Sequence, residues 1–175
     1  MRLALFALTG FGNIVLKSFL NQGVKPLVLI TRKEKNKFPY YKLENISSLA
    51  RRNKIKVEYD KTFIKNKNVD LLVVATYHKK INLSKINVKL AVNFHPSLLP
   101  DYPGKDPILD LIKDNKRNSG VTIHKLTKIF DKGKIIYKKK IIIKKKLNKK
   151  NIMLSKKPLF EKCTKFIINH FKKNF

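Results

Sequence analysis

The feature that most restricts the fold is a series of short, almost unbroken apolar runs separated by segments of helical periodicity. Leu3 to Leu8 and Val69 to Ala75 carry apolar residues at nearly every position. A strand with one face in water alternates apolar and polar residues. A run that is apolar on both faces is buried on both, as in a parallel sheet. Pro26 to Ile30, Ile55 to Val57 and Val88 to Phe94 read as further strands. Between them, Thr9-Gly10-Phe11-Gly12-Asn13 opens a segment with Ile14, Val15, Leu16, Phe19 and Leu20 on a helical face. Leu43 to Arg52 places Leu43, Ile46 and Leu49 near helical spacing, and Pro107 to Ile112 reads as a helix. Strands alternating with helices define an α/β class: a Rossmann-like, mostly parallel twisted sheet with helices on both faces.

The last part of the chain changes character. Gly120 to Leu126 and Lys134 to Ile143 read as strands joined by a turn at Asp131-Lys132-Gly133, a pair suited to an antiparallel edge. The triplets Lys138-Lys139-Lys140 and Lys144-Lys145-Lys146 flank Ile141 to Ile143, and lysines on an edge strand discourage aggregation. Pro158 to Phe171 reads as a closing helix with Leu159, Cys163, Phe166, Ile167 and Phe171 on one side, and Lys33 to Tyr41 as a polar loop. With 175 residues, 43% of them apolar, and neither repeat nor linker, the sequence predicts a single domain over 1–175. No apolar run approaches the roughly 18 residues of a membrane span. The N-terminal run stops at Thr9-Gly10 without a clean cleavage site, which favours a first core strand over a signal peptide. The lone Cys163 reads as a packed thiol and fits a cytoplasmic location.

A net charge of +30 points to nucleic acid or another anionic surface. Two details temper that. Arginine occurs only at Arg2, Arg32, Arg51, Arg52 and Arg117, and the lysines are spread along the whole chain among many Asn and Ile. RNA-binding surfaces lean on arginine for bidentate phosphate contacts and stacking. A nucleotide bias toward A and T gives the same composition, and anionic substrates are attracted in either case.

Asn93 and His95 end the run Val88 to Phe94. A strand's side-chain period of two puts them on one side and Phe94 on the other. Pro96 favours an extended backbone at His95 and ends the strand. The result is an amide beside an imidazole at the carboxyl end of a parallel strand, where ligands of open α/β sheets bind. A solvent-exposed polar strand end is the plain alternative. His124 reads as a packed or bonded structural histidine, and His78 as a surface one. Thr9-Gly10-Phe11-Gly12-Asn13 is either a phosphate cradle at a helix N-terminus, using Gly10, Gly12 and Asn13, or a plain strand-to-helix turn. Val15 occupies the third glycine position of the dinucleotide pattern, which argues against a nucleotide-dependent oxidoreductase.

The segment Asn93-Phe94-His95-Pro96-Ser97-Leu98-Leu99-Pro100 continues into Asp101-Tyr102-Pro103-Gly104, then Gly120-Val121-Thr122-Ile123-His124, then Asp131-Lys132-Gly133. Together these stretches resemble the 10-formyltetrahydrofolate-dependent formyltransferases, a group that includes glycinamide ribonucleotide, methionyl-tRNA and amino-sugar enzymes. The likeness is closest over Val69 to Ile143. It implies that Asn93 supplies an amide N–H to the formyl oxygen, His95 an imidazole that is protonated beside it, and Asp131 a carboxylate that orients His95 and handles protons. It also implies 10-formyltetrahydrofolate as co-substrate, held by loops that contain Ala75, Thr76, Tyr77 and Ile81 on one side and Thr127 and Phe130 on the other. Ser97 and Gly104 match the acceptor side less securely. No metal is implied, since one His and one Asp make no convincing ligand set. The implied acceptor is a small phosphorylated or nucleotide-linked amine. Methionyl-tRNA is the second choice, because the tRNA enzymes carry an additional C-terminal domain that the resemblance does not extend to here. A non-catalytic relative that binds RNA or another polyanion is the alternative from a different class. Neither a membrane partner nor an oligomeric state is implied.

Overall fold

The computed structural model describes residues 1–33, 43–64 and 68–175. The polar loop expected at Lys33 to Tyr41 lies almost wholly outside the described residues. Seven strands form one sheet in the order β3-β2-β1-β4-β5-β6-β7: β1 (Leu3–Ala7), β2 (Val28–Thr31), β3 (Lys56–Tyr59), β4 (Val69–Ala75), β5 (Val88–His95), β6 (Asn118–Lys125) and β7 (Ile135–Ile142). The first five are parallel to their neighbours, while β6 joins β5 and β7 joins β6 antiparallel. The parallel core and the antiparallel edge both follow the sequence reading.

Strand periodicity sorts the core into two layers. Leu3, Leu5 and Ala7 of β1 and Leu71, Val73 and Ala75 of β4 face one cluster, together with residues of α1 (Phe11–Asn21), α2 (Ile46–Arg52), α3 (Pro107–Lys113) and α4 (Lys149–Asn174). Ala4 and Phe6 face the opposite cluster with Val28, Ile30, Leu72 and Val74. On that second face the expectation of helices is corrected. Its cover among the described residues is Phe63, Ile64, Tyr77, Ile81 and Ile86, in loops around a single 3₁₀ turn at Leu83–Lys85. The β4–β5 connection is short, carries three Lys and two Asn over residues 76–87, and offers no apolar stripe for a longer helix.

Two helices differ in extent from the sequence reading. α2 starts at Ile46 because the Asn45 side chain accepts the Ser47 N–H at 2.8 Å and caps it there. α4 begins nine residues before Pro158, where Asn148 caps it by accepting the Asn151 N–H at 2.8 Å. Pro158 sits inside the helix without ending it. The carbonyl it deprives of a donor belongs to Leu154, whose residue is 41% exposed and open to water. The added N-terminal turns carry Ile152, Met153 and Lys156 into the core.

Candidate active site

From β1 the chain runs outward through β2 and β3, then returns to place β4 on the other side of β1. The loops leaving the carboxyl ends of β1 and β4 therefore diverge, and an open α/β sheet forms its ligand crevice at that point. Asn93 lies one strand further on, in register with Val74 of β4. Phe94 is wholly buried against the helical layer beside Phe160, with ring centroids 6.5 Å apart, so Asn93 and His95 point the other way.

The antiparallel pairing of β6 puts His124 directly opposite Asn93. The turn into β7 then brings Asp131 over both. Asp131 adopts a left-handed backbone, φ 54°, which a short polar side chain tolerates better than most. Its Oδ1 lies 3.3 Å from Asn93 Nδ2, 3.3 Å from His124 Nε2 and 3.5 Å from His95 Nδ1. Its Oδ2 accepts the Gly104 N–H at 2.8 Å. One carboxylate thus ties together β5, β6 and the loop after β5.

Donor and acceptor rules fix the rings. His95 Nε2 is 2.8 Å from the Tyr102 carbonyl, which only accepts, so Nε2 carries a hydrogen and Nδ1 faces Asp131. His124 Nδ1 likewise donates to the Lys125 carbonyl at 3.0 Å, leaving Nε2 to accept from Asn93 Nδ2 at 3.2 Å. Both Asn93 N–H groups are engaged in long bonds, and both are cheap to exchange for a bond to a developing oxyanion.

Burial lowers the pKa of His95 below that of a free imidazole, against the raising effects of the Tyr102 carbonyl and Asp131. Near pH 7 the resting ring is therefore neutral, not the imidazolium expected from the resemblance. Burial also acts to raise the Asp131 carboxyl, but the His124 ring, the Gly104 amide and the charge of His95 outweigh it and hold it below its ordinary value. The site at rest is an ionised carboxylate beside a neutral imidazole with a free lone pair at Nδ1, an arrangement suited to taking up a proton.

Gly133 makes this arrangement possible. A Cβ there would run into the Lys125 carbonyl and come 3.3 Å from His124 Nδ1. The Lys125 N–H bonds the Lys134 carbonyl at 2.9 Å and closes the hairpin there. Gly133→Ala is expected to cost about 1–3 kcal/mol by overpacking and to move Asp131 off its partners. Urea unfolding and turnover together check this, and a variant unchanged in both would show that the close approach is not required.

The remaining sequence-predicted residues fall into three places. Ala75, Thr76, Tyr77 and Ile81 leave the end of β4, with Thr76 at φ 60° and the Tyr77 hydroxyl bonded to the Lys61 carbonyl at 2.8 Å. Thr127 and Phe130 lie opposite, where Lys80 Nζ sits 5.9 Å from the centroid of the Phe130 ring. A cleft of about 430 Å³ opens between these two loops, lined by Ile81 and Thr127 among others. Ser97 is wholly buried, with its hydroxyl on the Asp101 carbonyl at 2.6 Å and its own carbonyl accepting from Thr122 Oγ1 at 2.7 Å. It shapes the loop that presents Tyr102 and Gly104. At the end of β1, the Gly10 N–H is bonded to Asn13 Oδ1 at 2.9 Å, and Asn13 Nδ2 to the Glu44 carbonyl at 2.8 Å. Gly12 is packed where a Cβ would come 2.8 Å from that of Ala7. His78 is exposed and meets Asp60 at 3.1 Å. No group of three or more His, Cys, Asp or Glu residues placed to hold a metal ion occurs among the described residues.

The sequence reading missed His124 as a member of the site. The signal was available in the strand period: an antiparallel hairpin closing on Asp131 brings its own second strand against β5. The Tyr102 carbonyl and the Gly104 amide were not legible, because backbone groups leave no mark in a sequence.

An open α/β sheet whose crevice holds an amide, two imidazoles and a carboxylate can bond a developing oxyanion and move a proton beside it. The family model described as formyl transferase matches residues 9–160, and the chain belongs to that family. It is 32% identical over 106 residues to the methionyl-tRNA formyltransferase of Thermotoga maritima, covering 57% of this chain and 34% of that protein. Its fold matches an N-formyltransferase from Helicobacter canadensis, solved with folinic acid and dTDP-3-aminofucose, at a TM-score of 0.78 and 23% identity over 98% of this chain and 65% of that one. It also matches the phosphoribosylglycinamide formyltransferase of Anaplasma phagocytophilum at a TM-score of 0.74 and 17% identity, over 98% of this chain and 87% of that one. The chain spans between 22% and 48% of the length of the curated relatives it matches. Among the described residues, no helix is long and apolar enough to cross a membrane.

Proposed function

We propose that the chain transfers a formyl group from 10-formyltetrahydrofolate to a primary amine, the acceptor being a small phosphorylated or nucleotide-linked amine. The observation that carries this reading is the convergence of Asn93, His95 and His124 on one ionised carboxylate, Asp131, at the sheet's crevice. The folate supplies the formyl group. The cleft between the Ala75–Ile81 and Thr127–Phe130 loops suits a flat ring with a tail, and Ala75, Thr76, Tyr77, Ile81, Thr127 and Phe130 would hold it. As the amine adds to the formyl carbon, negative charge grows on the formyl oxygen. Asn93 gives up one of its long bonds and donates to that oxygen. The amine's proton passes to His95 Nδ1, directly or through a water, and the imidazolium so formed is stabilised by Asp131 at 3.5 Å. That proton is then available for the leaving nitrogen. Gly10, Gly12 and Asn13 open α1 at the end of β1, where first-turn amides favour a phosphate of the acceptor. Ser97 and Gly104 shape the acceptor side.

Because protonation removes His95's lone pair, activity should survive from neutral pH to below the usual imidazole range and fall only further down. A pH profile of kcat checks this. An acid limb above pH 6.5, the ordinary imidazole value, would contradict a burial-lowered His95 as the base.

The reading is tested by mixing purified protein with 10-formyltetrahydrofolate and, separately, glycinamide ribonucleotide, a nucleotide-linked amino sugar and methionyl-tRNA, while following tetrahydrofolate release. Release with either small acceptor is expected. The identity to a methionyl-tRNA formyltransferase favours the tRNA as second reading. Silence with all three, together with tight salt-sensitive RNA binding, would overturn the enzyme in favour of a polyanion-binding module.

A further inference from the structure

Behind the site, on the helical side of the sheet, lies a lysine that the proposed reaction does not use. Lys156 sits on the buried face of α4 with Ile152, Met153, Leu159 and Phe160, and is itself wholly buried. A buried ammonium is costly unless its head group is bonded. The Nζ of Lys156 donates to the carbonyl of Pro96, the residue that follows His95 at the end of β5. Among the described residues Lys156 forms no ion pair. The next peptide is held by a different element. The Ser97 carbonyl accepts from Thr122 Oγ1 at 2.7 Å, and that oxygen accepts the Leu99 N–H at 3.0 Å. Thr122 is the residue of β6 opposite His95. Side chains of α4 and β6 thus fix two successive carbonyls at the strand exit. That exit delivers the backbone of the site: the Tyr102 carbonyl, 2.8 Å from His95 Nε2, and the Gly104 N–H, 2.8 Å from Asp131 Oδ2.

We infer that Lys156 is a positioning residue for formyl transfer: it fixes the Pro96 peptide, and through it the loop whose backbone orients His95 and Asp131. This inference rests on the reading of His95 as the base, and adds a residue from outside the crevice. The charge of Lys156 acts on the same ring. The titratable groups that bear on His95 are Asp131 from the turn before β7, His124 from β6 and Lys156 from α4; the first raises its pKa and the other two lower it. No charged group of another element bears on Lys156, whose ammonium is pushed down to about 7 by burial alone. His95 titrates below the ordinary imidazole value of 6.5, so Lys156 carries its charge while His95 takes up its proton.

The experiment measures kcat and KM for formyl transfer from 10-formyltetrahydrofolate by the full chain, K156M and K156Q, from about pH 5 to pH 8. Methionine keeps the length of the side chain without donor or charge. Glutamine, one bond shorter, keeps an uncharged N–H donor. The kcat of K156M should fall about 10- to 100-fold, the cost of a small misplacement of the reacting groups, with KM for the folate within about 2-fold of the parent's. K156Q should recover part of that loss. In both variants the acid limb of kcat should move to higher pH, because a cation that lowers the His95 pKa has gone. Thermal melts in the same buffers show which proteins are folded, and if K156M does not fold, the limb of K156Q decides. A kcat of K156M equal to the parent's, or a limb that stays in place in the folded variants, overturns the inference and assigns Lys156 to stability alone. A parent that releases no tetrahydrofolate with any of the three acceptors overturns the formyl-transfer reading, and this inference with it.

Discussion

His95→Ala is expected to lower formyl transfer by at least about 10³-fold, within the range for loss of a positioned acid–base group, while the protein still unfolds cooperatively. The loss follows from what His95 alone contributes. Its Nε2 is spent on the Tyr102 carbonyl at 2.8 Å, so the ring cannot turn, and its Nδ1 is held at the carboxylate. Alanine leaves Asp131 bonded to Asn93 and the Gly104 amide, beside His124 at 3.3 Å, so the hairpin stays closed. It removes the base and leaves the frame. Asp131→Asn separates the two roles. It keeps the shape of the side chain but removes the charge that stabilises a protonated His95, and it presents an N–H where Asn93 or the Gly104 amide expects an acceptor. A loss in kcat comparable to that of His95→Ala, with little additional loss in the double variant, would show the two acting as one unit. Single-turnover rates and thermal melts check these outcomes. Turnover by His95→Ala equal to that of the unsubstituted protein would sink the proposed mechanism, and a variant that melts without cooperativity would relocate His95 from chemistry to structure.

How far the sequence foretold this site depends on which forces did the placing. Runs buried on both faces, such as Leu3 to Ala7 and Val69 to Ala75, announce parallel strands because no other element hides both faces of so short a segment. The strand period put Asn93 and His95 together for the same local reason. Asp131 was reached only through the resemblance to a family, since its position depends on hairpin closure at Gly133 and on a long-range pairing of β6 with β5. His124 went unrecognised because a histidine ending an apolar strand has the same local sequence whether or not a carboxylate lies across from it. The cover of the second face was mispredicted because loops can bury Phe63, Tyr77 and Ile81 without helical spacing. Lysine was the least legible residue of all. With lysines spread through the chain, nothing local marked Lys156 as different from its neighbours, and the sequence-predicted helix began after it.

Lys156 is wholly buried, and its Nζ donates to the carbonyl of Pro96, the residue after His95. Burial pushes its ammonium down from 10.5 to about 7. An unfolded chain holds this proton until about pH 10.4, so between about 7 and that value the unfolded state binds more protons than the native state. Stability should therefore rise with pH across that window, by at most about 1.4 kcal/mol per unit from this group. Below pH 7 both states are protonated, and the native state bears the full cost of a buried charge with one hydrogen bond. His95, also lowered by burial, adds a rise of the same sign but only below the ordinary imidazole value, so the two windows do not overlap. Lys156→Met keeps the length of the side chain and removes the titration. It also leaves the Pro96 carbonyl without its donor, a cost of about 1–3 kcal/mol at every pH. The balance should change sign: at pH 6 the variant matches or exceeds the parent in stability, and at pH 9 it falls below it. Urea unfolding of both proteins at the two pH values measures that crossing. Parallel profiles would mean that Lys156 keeps its proton in the core, and would transfer the stabilisation of the Pro96 peptide, and of His95 before it, to a permanent buried cation.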